Sequence, residues 1–212
     1  MRTYGQYCGL ARSLEVVGDR WNLLIVRELL IAPARYRDLI QGLPGIATNL
    51  LADRLRDLET AGVIERRLAG EGSAVEYALT PWGAELRQPI ASLIRWSTPL
   101  MLRGPDGDTF RLEWLTLAVP ALLESRVPIR PRPAVGLDVG GPLLQLHATD
   151  HGFDVGPRVE RDLAAVLRTE PAFVLGLAAN ALSLDDANAA GLIEIDGDEW
   201  TVRGYFTDET VK

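Results

Sequence analysis

Apolar positions recur at helical spacing through the first hundred residues. Cys8 to Gly18 sets Leu10, Ala11, Leu14 and Val17 along one face. Arg20 to Ile31 is apolar on nearly every side, the pattern of a buried helix, and Pro33 stops it. Tyr36 to Gly42 reads as a short helix with Tyr36, Leu39 and Ile40 inward, followed by the turn Leu43-Pro44-Gly45. Thr48 to Ala61 is plainly amphipathic. Leu51, Leu55 and Leu58 share one side, and a rotation of about 100° per residue puts Asn49, Asp53, Arg56 and Thr60 on the other. Gly62 stands where a left-handed helix terminus is wanted. The period then changes to that of strands, residues 63–68 and 75–79, with Gly70-Glu71-Gly72-Ser73 as their turn. Thr80 caps a further helix with Pro81 in its first turn. It is expected to run to about Leu102, bent at Pro89 or Pro99.

Beyond residue 108 the pattern is of another kind. Phe110 to Leu123 is a strongly apolar helix, and Pro128 to Pro133 a proline-spaced connector. Ala134 to Val139, Leu143 to Thr149 and Gly152 to Val155 read as a strand meander, and Arg161 to Leu167 as a further strand. Short helices follow at Pro171 to Asn180 and Leu184 to Ala190, then a strand at Leu192 to Ile195 and a last helix at Glu199 to Phe206. That order is α+β.

Charge separates the two stretches. The whole chain of 212 residues carries a net −7, so it is not basic overall. Residues 1–103, however, have thirteen arginines against eleven acids (+2), and residues 104–212 have nine cations against eighteen acids (−9). The turn cluster Arg103-Gly104-Pro105-Asp106-Gly107-Asp108 between them is a natural linker. Two domains are expected, 1–103 and 108–212, with different partners. The lone Cys8 excludes an intramolecular disulfide and a CxxC metal site. Pro171 to Leu184, an uncharged stretch that no other exceeds in length, is too short to span a bilayer, and the N-terminus has no signal-type apolar core. A cytoplasmic protein that does not enter membranes is the expectation.

Helix, short helix, tight turn, helix and β-hairpin is the order of a winged helix-turn-helix. The run Cys8-x-Leu10-Ala11-x-x-Leu14-x-x-x-Gly18-Asp19-Arg20-Trp21 resembles the opening of the HxlR family of bacterial regulators, which are similar to MarR proteins. The resemblance continues through Leu29-Leu30, Arg35-Tyr36-Arg37-Asp38-Leu39, Gly45-Ile46, Leu51, Arg54-Leu55, Leu58-Glu59, Gly62-Val63-Ile64 and Arg66. It ends on Tyr77-x-Leu79-Thr80-Pro81-x-Gly83. It implies a dimeric transcription regulator that binds near-palindromic duplex DNA through helix 48–61 and the wing 63–79. The apolar Leu86, Ile90, Leu93, Ile94 and Trp96 of the last helix agree with a homodimer, or else pack within the chain itself.

On that reading Thr48, Asn49, Asp53 and Arg56 face base edges or nearby phosphates. Asn suits adenine geometrically, and Arg suits guanine. Arg35, Arg37, Arg66 and Arg67 are phosphate clamps, which set register while base contacts set sequence choice. Each of these is equally what a solvated face would show. Arg54, beside the apolar stripe, is expected to pair with Asp57 or Glu59 rather than read DNA. Two positions depart from the family: Ala47 stands where a capping hydroxyl is usual, and the wing tip carries the acid Glu71. Some relatives of this kind use a cysteine at the place of Cys8 to sense electrophiles or oxidants. Arg12, one helical turn on, has the spacing to favour a thiolate. The other reading is a small buried hydrophobe.

The tail Thr169-Glu170-Pro171-Ala172-x-x-x-x-Leu177, followed by Ser183-Leu184-x-x-Ala187-x-x-x-Gly191-x-Ile193-x-Ile195-x-Gly197-Asp198, is similar to the sterol-carrier-protein-2-like fold. That resemblance implies a sheet with helices over it, enclosing an apolar cavity. Trp114, Leu115, Leu122, Phe153, Phe173 and Leu177 are candidates to line the cavity or simply to fill the core. His147 and His151 straddle a strand and a turn and read as surface residues, not metal ligands. With no phosphate loop, nucleophile elbow or paired carboxylates in a recognisable context, an enzyme is not expected, nor a cofactor. Three functions stand: a DNA-binding regulator whose C-terminal domain takes a small apolar effector, a lipid-binding protein that uses its winged helix only to dimerise, and a thiol switch through Cys8.

Overall fold

The computed structural model describes residues 3–68, 74–101, 104, 106–159 and 162–207. The chain divides into two compact units, Met1–Ile90 and Ala91–Lys212, the division falling inside a helix that runs from Arg87 to Met101. Among the described residues no helix is long and apolar enough to cross a membrane.

The first unit has the order α1 (Gly9–Val17), α2 (Asn22–Ile31), α3 (Tyr36–Gly42), α4 (Thr48–Thr60), β1 (Ile64–Leu68), β2 (Val75–Leu79) and α5 (Pro81–Ala84), ending in the first residues of α6 (Arg87–Met101). Its core is built by Ile25, Val26, Leu39, Leu51, Leu55, Leu58 and Ile64, all nearly inaccessible to water. β1 and β2 pair antiparallel from Ile64↔Leu79 to Leu68↔Val75. Their connecting turn, with Glu71, lies outside the described residues.

Two predicted helix boundaries move. α2 begins at Asn22, not Arg20, because Trp21 sits in the left-handed region (φ 86°), where no α-helix can pass. The helix expected from Pro81 to Leu102 is broken at Glu85-Leu86, ahead of both prolines. Pro89 has no N–H and its ring crowds the carbonyl four residues back, that of Glu85. The chain therefore turns there and restarts with Pro89 in the first turn of α6. At Pro99 the helix runs through.

The second unit starts with the remainder of α6 and a 3-10 turn (Leu112–Trp114). It continues as α7 (Leu115–Leu123), β3 (Val135–Asp138), β4 (Leu144–Thr149), β5 (Gly152–Pro157), β6 (Ala165–Thr169), α8 (Pro171–Ala178), α9 (Leu184–Ala189), β7 (Ile193–Gly197) and α10 (Glu199–Phe206). The α-helix expected from Phe110 starts only at Leu115, since Arg111 is extended (φ −128°, ψ 132°) and the first turn is tight. The sheet order is β5-β4-β3-β6-β7, with β3 and β6 parallel and the other pairs antiparallel. β6 begins at Ala165, not Arg161, because that is where it gains a partner, Val135 of β3. Arg161 itself lies outside the described residues.

One face of this sheet is apolar. Leu137, Leu146, Val155 and Leu167 pack there with Leu115, Leu123, Val174, Leu177 and Val202 from the helices. Tyr205 is fully buried among them, its hydroxyl donating to the Pro133 carbonyl (3.1 Å) and accepting from the Ala148 amide (3.1 Å). Of the candidate cavity residues, Leu115, Leu122, Phe153 and Leu177 belong to this core. Trp114 and Phe173 are half-buried, Trp114 edge-on to Phe110 at 6.3 Å.

Candidate nucleic-acid interface

The first unit brings most of the predicted DNA-facing residues to α4 and the β1–β2 hairpin. α4 turns Leu51, Leu55 and Leu58 into the core, so Thr48, Asn49, Asp53, Arg56 and Thr60 are left exposed. Two side chains fasten it. Tyr36 donates its hydroxyl to the Thr48 carbonyl (2.5 Å). Arg54, largely sheltered, bonds Asp19 from the α1–α2 junction and Asp57 at 3.2 Å. The turn before α4 takes Gly45 in the left-handed region (φ 87°), a conformation that favours glycine. Through Asp19 the Gly18-Asp19-Arg20-Trp21 run is thus a brace for α4.

The expectation for Arg54 holds in one half. It pairs with Asp57 but not with Glu59, which is taken by Arg66 (2.8 Å). The role of Asp19 is not legible in local spacing, because its partner lies 35 residues away. The Thr-Pro-x-Gly exit is equally physical. Thr80 caps α5 by accepting from the Gly83 amide (3.0 Å) and donates to the Gly62 carbonyl (2.7 Å), while Gly83 lies so close to the Val63 carbonyl that no side chain fits.

The cations fall into two groups. Arg35 and Arg37 are exposed and pair with no acid among the described residues. Arg66, Arg67 and Arg56 are exposed too, but each is tied: Arg66 to Glu59 (2.8 Å), Arg67 to Glu76 (2.8 Å) and Arg56 to Asp53 (3.1 Å). The hydrogen bond that Arg66 donates to Glu59, with the carboxylate's charge, raises the Arg66 pKa above its ordinary value. Ala34 and Tyr77 exchange backbone bonds (3.0 and 2.8 Å), which sets Arg35 beside the hairpin that carries Arg66 and Arg67. At the start of α4 the Ala47 cap gives no side-chain bond. Asn49 Oδ1 instead accepts from the Leu50 amide (3.0 Å).

Cys8 is exposed at the N-cap of α1, and its sulfur takes no capping bond. Arg12, one turn on, bonds Glu15 through its guanidinium (2.9 Å). Glu15 in turn accepts from the Thr3 hydroxyl (2.7 Å) and the Tyr4 amide (2.8 Å), and these bonds hold its carboxyl below the ordinary value of 4.5. His147 lies 3.9 Å from Asp154, and no group of metal-ligating residues exists among the described residues.

Residues 16–103 match the family described as HxlR-like helix-turn-helix. The HTH-type transcriptional regulator sll1512 of Synechocystis sp. is 38% identical over 87 residues, which cover 41% of this chain and 64% of that protein, less than two thirds of its length. The HTH-type transcriptional regulator YodB of Bacillus subtilis is 31% identical over 98 residues, 46% of this chain and 85% of that one. Among solved structures, the reduced form of YodB from B. subtilis is 30% identical and covers 47% of this chain and 99% of its own, with a TM-score of 0.40.

Proposed function

The chain belongs to the HxlR-like helix-turn-helix family, and from that premise we propose that it is a transcriptional regulator that binds duplex DNA. α4 enters the major groove, and Arg35, Arg37, Arg66 and Arg67 grip phosphates on either side. The observation that carries this reading is the outward face of α4, with Thr48, Asn49, Asp53 and Arg56 exposed and the braces described above holding it in place. The chain acts in the cytoplasm by binding rather than by catalysis, and needs no cofactor.

It works as a homodimer on half-sites roughly 10 bp apart. In support, Ile90 is buried and Ile94 packs on the second unit's core, yet Leu93, Trp96, Leu100 and Met101 of the same helix remain exposed. The sterol-carrier-like second domain, counted from residue 108, receives a small apolar effector. Cys8 is a second input through its exposed thiol. Mobility shifts on genomic fragments against random DNA, over a salt series, test the reading. A preferred sequence is expected, and equal affinity for both at moderate salt overturns it. Diamide treatment of wild type and Cys8→Ser decides the second input: only wild type should change its affinity.

A further inference from the structure

We propose that Asp53 and Arg56 act as one reading unit, selecting a guanine next to a cytosine or adenine, whose amino groups face the major groove, and keeping α4 from gripping phosphate indiscriminately. The proposal rests on the DNA-binding reading above and names two of its specificity determinants. The other ion pairs of this surface each have a sheltered member. Glu59 is 30% exposed beneath Arg66, Glu76 is 19% exposed beneath Arg67, and Arg54 is 21% exposed beneath Asp19 and Asp57. In those pairs one partner holds the other against the fold. Asp53 and Arg56 are 57% and 69% exposed, so both charges of this pair are presented outward together.

The geometry divides the work. Asp53 Oδ1 accepts from Arg56 Nη1 at 3.1 Å, which tethers the guanidinium at one nitrogen and leaves its other N–H donors without a partner among the described residues. Guanine offers two acceptors, O6 and N7, to such a fork in the major groove. Asp53 Oδ2 makes no hydrogen bond among the described residues. A carboxylate only accepts, so it suits the amino group of cytosine or adenine and rejects guanine O6, thymine O4 and phosphate oxygens. The pair is neutral as a whole. An unbuttressed arginine in the same place would swing to whichever phosphate lay nearest, adding affinity for every sequence alike.

The full-length chain is used to select binding sites from a randomised duplex library, as wild type, Asp53→Asn, Asp53→Ala and Arg56→Ala. Wild type should return a half-site with guanine beside cytosine or adenine. Asp53→Asn and Asp53→Ala should keep the guanine and lose the preference at its neighbour. Their affinity for random DNA should rise by about 3–10-fold, with a salt dependence steeper by about one phosphate contact. Arg56→Ala should lose the guanine. Because both side chains are exposed, the variants should melt with wild type. If Asp53→Asn selects the same motif with the same margin over random DNA, the pair is an ordinary surface ion pair and the proposal is overturned while DNA binding stands. If wild type selects no motif, both are overturned.

Discussion

In residues 1–90 the side chains around the proposed DNA-facing surface are polar and fastened to one another. Arg54 reaches Asp19 and Asp57, Arg66 reaches Glu59, and Tyr36 holds the first carbonyl of α4. In residues 91–212 what is fastened is the interior: Leu115, Leu137, Leu146 and Tyr205 are inaccessible to water, and α7, α8, α9 and α10 contribute to one apolar core with the sheet. The difference explains why the two parts read so unequally. A brace such as Asp19 to Arg54, or a contact such as Gly83 on the Val63 carbonyl, demands one residue type at one place and leaves a signature. An apolar core demands volume and pattern, which many sequences meet.

The largest effect that would test this division is a core truncation in each unit. Leu55→Ala and Leu137→Ala remove buried methyl groups from sites 2% and 0% exposed and should each cost about 2–5 kcal/mol. Hydrogen exchange read unit by unit should show each loss confined to its own side of Ile90. Equal loosening of both units by either variant would make them one cooperative block.

Tyr205→Phe should come next. The hydroxyl lies between the Pro133 carbonyl and the Ala148 amide, each 3.1 Å away, and its loss leaves a buried donor and acceptor unmatched. A cost of about 1–3 kcal/mol is expected in urea unfolding followed through the second unit. A smaller cost would mean that α10 keeps its place without this hydroxyl.

Arg54→Met probes the opposite design. Asp19 and Asp57 are well solvated, so stability should fall by less than about 1 kcal/mol. DNA affinity should fall several-fold nonetheless, because α4 loses a brace. Unchanged affinity would show that the Tyr36 bond and the packed leucines suffice to aim α4.

What could be read in the sequence follows the same line. α3 (Tyr36–Gly42) and α10 (Glu199–Phe206) appear with the predicted bounds, their starts set by local bonds, the Arg35 amide to Asp38 (3.1 Å) and the Trp200 amide to Asp198 (3.1 Å). The outward set on α4 is also as its rotation predicts. The start of β6 was not legible, because a parallel strand begins where its distant partner does. Nor were the ties of Arg66 and Arg67 to Glu59 and Glu76, which need the hairpin register and the fold of α4 onto β1. The break at Glu85-Leu86 lies ahead of the expected bends at Pro89 and Pro99, because it answers to the carbonyl four residues before Pro89 rather than to the ring itself.

The smallest effect is the pH response, and it too separates the units. Glu15 is held below its ordinary 4.5 by the Thr3 hydroxyl first, then the Tyr4 amide and Arg12, while Asp185 is held below its ordinary 3.8 by Arg203. A carboxyl whose pKa is depressed by folding contributes stability that is full above its unfolded value and lost as pH falls through its folded one. Erosion should therefore start near pH 4.5 where Glu15 ties residues 3 and 4 to α1, and only below 3.8 where Arg203 ties α9 to α10. Carboxyl-carbon NMR titration should show both groups titrating below those ordinary values. The protection of the Tyr4 amide, corrected for its intrinsic exchange rate, should fall from pH 4.5 downward in wild type. In Glu15→Gln it should already be low at neutral pH and change little with acid. A Tyr4 protection that stays flat in wild type would mean that something other than this carboxylate holds residues 3–5 against the first helix, and the acid response would then belong to the second unit alone.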